Sequence, residues 1–301
     1  VRVLVTGAAG FVGRSVVARL AEDGHDVVAV DRADAPLRAL AARHPSVSAA
    51  AVDLASRADV QALFEASRPD ALIHLAWYAD PTDYLTSEAN LGSLEMTLSV
   101  ARAALSSGCR KLIVGGSCVE YAARDRLLVE DDPVDPRTLY AACKHAAWHV
   151  LRIMASEAGA ALCWARIFHI HGPTEDTRRI IPWVASQLRM GKAVELTAGS
   201  QIRDHLHIAD VAGGLVALLA TSATGIYNIC SGEPVSLRQV LETVGEIVGR
   251  KELLQFGARP HRSNETMFLA GDSSRLRALG WRPRFGLRDG LEDALAGGRS
   301  R

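Results

Sequence analysis

The sequence predicts an α/β protein, a doubly wound parallel sheet with a smaller C-terminal α/β domain. Three observations carry that expectation. A glycine-rich turn joins the first strand-like run to the first helix-like run, and short buried apolar runs then alternate with helical patterns over the first half of the chain. The residues able to do chemistry fall where those apolar runs end. Strands separated by helices pair in parallel, and such a sheet binds ligands at the carboxyl ends of its strands.

The elements follow in order. Val1–Val5 is strand-like and runs into Thr6-Gly7-Ala8-Ala9-Gly10-Phe11-Val12-Gly13. Apolar residues then recur at helical spacing at Phe11, Val12, Val16, Val17 and Leu20, closing near Gly24. Gly7 suits the tight turn, Gly10 the approach of backbone to a pyrophosphate, and Gly13 the packing of helix on sheet. The helix N-terminus at Phe11 and Val12 offers free N–H groups to phosphates. The second strand, Asp26–Val30, ends at Asp31-Arg32. A carboxylate there accepts hydrogen bonds from ribose hydroxyls and favours NAD(H), whereas Arg32 suits a 2′-phosphate and keeps NADP(H) open.

The alternation continues with a strand at Ser46–Val52 ending at Asp53-Leu54, a helix at Arg57–Ser67, and a buried strand at Ala71–Leu75 running into Ala76. A long helix at Leu85–Ser106, a fifth strand at Arg110–Val114 before Gly115-Gly116-Ser117, a helix at Pro136–Glu157 and a sixth strand at Ala161–Ile167 complete it. Tyr140 and Lys144 are four apart and so share one face of their helix. A free phenol titrates near ~10, and a neighbouring ammonium favours its phenolate, which brings a weak acid nearer to proton transfer at ambient pH.

Composition narrows the class. At 301 residues the chain has length for one large domain and a smaller appendage, with 49% hydrophobic and 23% charged residues, as in globular proteins. Lys plus Arg equals Asp plus Glu at 34 each, so no nucleic acid or anionic membrane is indicated as partner. No apolar run reaches the ~18 residues of a membrane span. No signal-peptide pattern precedes the first strand, and the five cysteines are scattered without Cys-x-x-Cys spacing. The expectation is a cytoplasmic protein with reduced thiols and no metal.

Taken together, the motifs resemble those of the extended short-chain dehydrogenase/reductase family, over nearly the whole chain. Gly7-x-x-Gly10-x-x-Gly13, Asp53-Leu54, His74-Leu75-Ala76, Ser117 and Tyr140-x-x-x-Lys144 stand in family order, as do Arg166–Pro173, Gln201–Val211 and Leu279-Gly280-Trp281-Arg282-Pro283. The resemblance implies a Rossmann domain over 1–167, joined again by 209–230, and a substrate domain from 168–208 and 231–301. It implies a dinucleotide held by Gly7, Gly10, Phe11, Val12, Gly13, Asp31 or Arg32, Asp53, Leu54, Leu75, Ala76, Tyr140 and Lys144. Tyr140 would be the acid/base, Lys144 would hold the nicotinamide ribose and depress the phenol's pKa, and Ser117 would hydrogen-bond the substrate oxygen. Arg203 and Arg262 match arginines that relatives use on a substrate diphosphate, so the implied substrate is a nucleoside-diphosphate sugar. The Ala-, Leu- and Val-rich helices around Leu94–Leu105 and Tyr140–Ile153 are similar to those of relatives that form homodimers.

The chain departs from the family at two places. The dehydratases place Asp-Glu after the catalytic serine or threonine, where this sequence has Cys118-Val119, so dehydration is not expected. Epimerases carry an asparagine where this sequence has His169. The sequence reading is therefore a 4-ketoreductase of a nucleoside-diphosphate 4-keto-6-deoxyhexose, with a sugar-nucleotide 4-epimerase as the alternative. A dinucleotide sensor without catalysis is a third reading, opposed by the intact Ser117, Tyr140 and Lys144. His205 and His207 are read as structural, for want of a third ligand at metal spacing.

Overall fold

The structure, a computed structural model, describes residues 1–261 and 265–296. Its first half runs β1 Arg2–Thr6, α1 Phe11–Glu22, β2 Asp26–Asp31, α2 Asp34–Arg43, β3 Val47–Ala51, α3 Arg57–Ser67, β4 Ala71–His74, α4 Ala89–Ser106, β5 Lys111–Ser117, α5 Leu139–Glu157 and β6 Ala161–Ile167. The second half adds β7 His169–His171, α6 Ile180–Arg189, β8 Val194–Leu196, β9 Ile202–His207, α7 Ile208–Leu219, β10 Gly225–Ile229, β11 Pro234–Ser236, α8 Leu237–Val248, β12 Leu254–Phe256, β13 Phe268–Leu269, α9 Ser274–Arg277 and α10 Leu287–Ala296.

Seven strands form one parallel sheet in the order β10-β6-β5-β4-β1-β2-β3. Successive strand side chains point to opposite faces, so each strand feeds two cores. Val3, Val5, Val27, Ala29 and Ile73 face α1 and α7, where Val16, Leu20, Val211 and Leu215 complete one core. Leu4, Val28, Val30, Leu72 and Leu112 face α3, α4 and α5, where Phe64, Val100, Ala147 and Leu151 complete the other. Burial on both faces is why these strands read as continuous apolar runs rather than alternating ones.

The later chain builds a smaller unit around β9, which pairs with β7, β11 and β13. Its core joins Ile181, Val184 and Leu188 of α6 to Val240, Leu241 and Val244 of α8 and Leu291 and Leu295 of α10. The chain also crosses back. α7 and β10 lie on the large sheet, and Leu276 and Trp281 pack into the first core beside α7.

Several elements differ from the sequence pattern for local reasons. α2 was not expected, because Leu37 and Leu40 are its only buried apolar anchors and Pro36 sits in its first turn. α4 starts at Ala89 rather than Leu85, since Asn90 turns its side chain back to the carbonyls of Tyr84 and Ser87 and holds that segment as turns. α5 starts at Leu139 because Thr138 caps it, its hydroxyl accepting the Ala141 N–H at 3.1 Å. β5 runs on through Gly115 and Gly116 to Ser117, paired along its length with β6.

Candidate active site

A pocket of about 680 Å³ opens along the carboxyl ends of the sheet strands. One end is the β1–α1 turn. Gly7 has φ +68°, and a Cβ on it would come within 2.8 Å of the Ala76 backbone nitrogen. A Cβ on Gly13 would lie 2.0 Å from the Gly7 carbonyl oxygen, so α1 can pack on the turn only without a side chain there. Gly10 is the N-cap of α1 with no side-chain cap, and Phe11, Val12 and Gly13 line the pocket. The first-turn N–H groups are left for a ligand, the arrangement that receives a pyrophosphate.

The residues expected around an adenosine are spread along neighbouring strand ends rather than in the same cavity. The Asp31 carboxylate, at the end of β2, accepts N–H bonds from Ala9 at 3.1 Å and from Arg32 at 2.7 Å, which sets it against the glycine turn. Arg32 points into solvent. Asp53 follows β3 and uses its carboxylate on the Ala55 N–H, while Leu54 is buried in the second core. Leu75 lines the pocket, and Ala76 backs the Gly7 turn.

Deeper in, Ser117, Tyr140 and Lys144 line the same pocket. Burial pushes the Tyr140 phenol well above its ordinary range, with the Ser117 hydroxyl opposing it. The sequence expectation was that Lys144 would lower this phenol. Instead the lysine is itself buried: its Nζ donates to the Gly115 carbonyl at 2.6 Å and lies 3.8 Å from the centre of the Trp77 ring. Desolvation lowers the ammonium to about 7, against the opposing charge of Glu120. In the protein alone, then, the phenol is protonated and the lysine is poised near neutrality.

A cage holds these groups, and of its members the sequence pointed only to Trp77, as an aromatic residue after the fourth strand that could line the site or simply pack. The Trp77 indole donates to the Asn90 amide oxygen at 2.9 Å, and Trp77 and Tyr84 meet the Tyr140 ring edge-on at 6.2 and 5.1 Å. Asn90 could have been suspected as a polar residue on a buried helix face; Tyr84 carries no such signal. Ser117 is fixed from below. Its N–H donates to Glu120 Oε1 at 2.7 Å, and the fully buried Glu120 also accepts from Trp164 at 3.0 Å and Arg166 at 3.2 Å. Burial raises the Glu120 carboxyl and Arg166 opposes the rise. Tyr121 stays outside the pocket, with its hydroxyl donating to Asn228 at 2.7 Å.

The far end is built by β7, β9 and the start of α6. His169 lies beside His205 in the β7–β9 register and His171 beside His207, with ring centres 5.6 Å apart in both pairs. So the two histidines read as a lone pair belong to a file of four, although no group of three or more His, Cys, Asp or Glu among the described residues has the geometry to hold a metal. Burial is the main reason that His169, His171 and His205 are lowered to about 3 and stay neutral. Arg203 donates to the Ile202 carbonyl at 2.8 Å and stands 3.8 Å from Glu265, its own charge disfavoured by burial. It adds to the field at His169 and Cys118 but does not line the cavity. Arg262 lies outside the described residues. Of the pair Arg178-Arg179, Arg178 is held by Asp176 and Asp80 at the surface, while Arg179 lines the pocket 5.1 Å from the Tyr84 ring.

A phosphate-receiving turn, a buried tyrosine–lysine pair and a serine around one pocket of a parallel sheet define a nicotinamide-dinucleotide oxidoreductase. Comparison with known proteins agrees. The model of the NAD dependent epimerase/dehydratase family matches residues 3–230, and the chain belongs to that family. It is an NAD-dependent enzyme of the extended short-chain dehydrogenase/reductase type that acts on sugar nucleotides. It is 28% identical to UDP-glucose 4-epimerase 3 of Oryza sativa subsp. japonica, over 97% of this chain and 88% of that one. It is 25% identical to CDP-abequose synthase of Salmonella typhimurium, over 97% of each. The crystal structure of the UDP-glucose 4-epimerase of Thermus thermophilus in complex with NAD matches with a TM-score of 0.88 at 26% identity, over 100% of this chain and 99% of that one.

Proposed function

We propose that the protein reduces a nucleoside-diphosphate 4-keto-6-deoxyhexose at C4, with Tyr140 supplying the proton, Ser117 hydrogen-bonding the carbonyl oxygen and Lys144 meeting the nicotinamide ribose. The bound dinucleotide supplies the hydride. The grouping of Ser117, Tyr140 and Lys144 around one pocket carries this reading, because ketone reduction needs a proton donor at the developing alkoxide, and burial favours the protonated phenol there. Elimination of water is disfavoured: Cys118 and Val119 follow Ser117, and the next carboxyl, Glu120, is consumed by Ser117, Trp164 and Arg166. Gly7, Gly10 and Gly13 leave the room a dinucleotide diphosphate needs, and Asp31 suits the ribose of NAD. Arg203 and Arg262 remain the proposed diphosphate contacts.

A second reading, the 4-epimerase, is favoured by the epimerases among the relatives. An epimerase must let the ketone intermediate present its other face to the same nicotinamide. His169, which stands where epimerases carry an asparagine, lines the pocket wall beside His205, which supports the reductase. A spectrum of the purified protein, followed by NADH and NADPH oxidation with a 4-keto-6-deoxy sugar nucleotide, separates the two. Stoichiometric oxidation is the expected result. Protein that carries NAD and interconverts sugar nucleotides without net redox is an epimerase.

A homodimer through α4 and α5 fits the exposed Leu91, Val150 and Ile153 on those helices. A concentration-independent monomer mass in light scattering would remove it. No helix among the described residues is long and apolar enough to cross a membrane, and the proposed setting is the cytoplasm.

A further inference from the structure

The loop between β7 and α6 carries four charged side chains in the run Glu175-Asp176-Thr177-Arg178-Arg179. Three have partners. Asp176 and Arg178 bind one another at 2.7 Å, and Arg178 reaches across to Asp80 at 3.0 Å, which ties this loop to the turn after β4. Arg179 stacks against the Tyr84 ring that in turn packs on Tyr140. Glu175 is the exception. It lines the pocket, and its Oε2 is buried with no hydrogen-bond partner.

Such a carboxyl is costly. A buried polar group without a partner loses its hydration without replacement, at greater cost when charged, and a protein that keeps one at a pocket needs a reason. Desolvation raises this acid to about 8, with Arg179 opposing, so near neutral pH it is largely the protonated form, able both to donate and to accept. The backbone adds a second cost. Thr174, immediately before it, has φ +68°, an unfavourable conformation for a β-branched residue. The loop is stapled from outside by Asp176, Arg178 and Asp80, and Glu175 stays on its inner side, lining the pocket.

We propose that Glu175 determines sugar specificity, its carboxyl taking a hydrogen-bond-donating substituent, a hydroxyl or amino group, on the hexose ring. The inference rests on the pocket being the sugar-nucleotide site. A substrate group that completes the hydrogen bonds of a buried acid recovers the desolvation lost in the free protein, and an analogue lacking that group leaves the acid unpaired again.

The test is a double-mutant cycle by calorimetry on the NAD-loaded protein, using UDP- and dTDP-hexoses and their singly deoxygenated and amino-substituted counterparts. Wild type is expected to lose about tenfold or more in affinity for one deoxy analogue, the one missing the Glu175 partner, and Glu175→Leu to bind that analogue and its parent alike. The amino counterpart at the same ring position distinguishes a hydroxyl from an amine as the preferred donor. Thermal melting gives a readout that a structural role would move the other way: Glu175→Leu should keep or raise Tm, because it removes an unpaired buried acid. Tight sugar-nucleotide binding with equal affinity for every deoxy analogue, or discrimination unchanged in Glu175→Leu, overturns the role of Glu175 and leaves the sugar-nucleotide reading standing. Failure of wild type to bind either series, or the CDP- and GDP-hexoses, overturns both. A large fall in Tm for both Glu175→Leu and Glu175→Gln makes the residue structural and also sinks the proposal.

Discussion

Around Tyr140 and Lys144 most polar groups have protein partners, His145 Nδ1 being an exception, whereas Glu175 Oε2 and the histidines of β7 and β9 supply most of the buried side-chain atoms without one. Lys144 is tied to Gly115, Trp77 to Asn90, Asn90 to the Tyr84 carbonyl, His74 to Thr6 and Thr97, and Ser117 to Glu120. At the other end His169 Nδ1, both ring nitrogens of His171 and of His205, and Glu175 Oε2 are buried without a partner. The first arrangement fixes reacting groups before any ligand arrives, which is what proton transfer requires. The second keeps hydrogen-bonding capacity in reserve, which suits recognition and costs stability. One pocket therefore combines a rigid chemical end with an unsatisfied recognition end.

Acid should expose the difference most strongly. His74, His169, His171 and His205 are lowered to about 3 by burial. In the unfolded chain they would titrate near ~6.5. Below that pH the unfolded state gains protons that the folded state refuses, so stability falls as pH falls from about 6.5 towards 3, by about 1.4 kcal/mol per pH unit for each group. Urea midpoints measured from pH 7 to pH 4.5 check this. Three of the four groups belong to the β7–β9 file, so His171→Asn should flatten the profile. A midpoint that does not move between pH 7 and 5 would count against the neutral file.

Removing the chemistry without disturbing the frame comes next. Tyr140→Phe should lower turnover by about 10²- to 10⁴-fold while dinucleotide still binds, read by initial rates and by quenching of protein fluorescence. Full activity in this variant would move the acid elsewhere. Glu120→Ala should destabilise by about 3–5 kcal/mol, because Arg166 and Trp164 are left buried without their acceptor. It should also lower kcat through the freed Ser117 backbone. Thermal melting and rates together read both effects, and an unchanged Tm would mean that the buried pair is replaceable. The smallest effect is expected from Thr138→Ala, about 1 kcal/mol, from loss of the cap on α5.

The legibility of the molecule follows the same division. The sheet strands were readable because both faces are buried, and α1, α3 and β6 fall where their apolar spacing puts them. That Tyr140 and Lys144 share one helix face was readable from their spacing of four, and Ser117 from its place at a strand end, but their meeting around one pocket depends on the packing of α5 on β5. α2 was not readable, with only two buried leucines to mark it. Nor was the joining of Trp77, Tyr84 and Asn90 into a cage, since the turns before α4 are held by a side-chain amide rather than by any periodic pattern.

By itself, then, the sequence determined the doubly wound fold, the position of the phosphate-receiving turn and the helix face that carries the tyrosine and lysine. These depend on short-range spacing and on hydrophobic period, which a linear chain records directly. Only the tertiary structure decided that Lys144 sits over Trp77 as well as beside Tyr140. It alone set four histidines in file across β7 and β9, and left Glu175 facing the pocket while its charged neighbours are paired elsewhere. Those are matters of burial and of partners distant in the chain, and burial is what sets the charge of each of these groups.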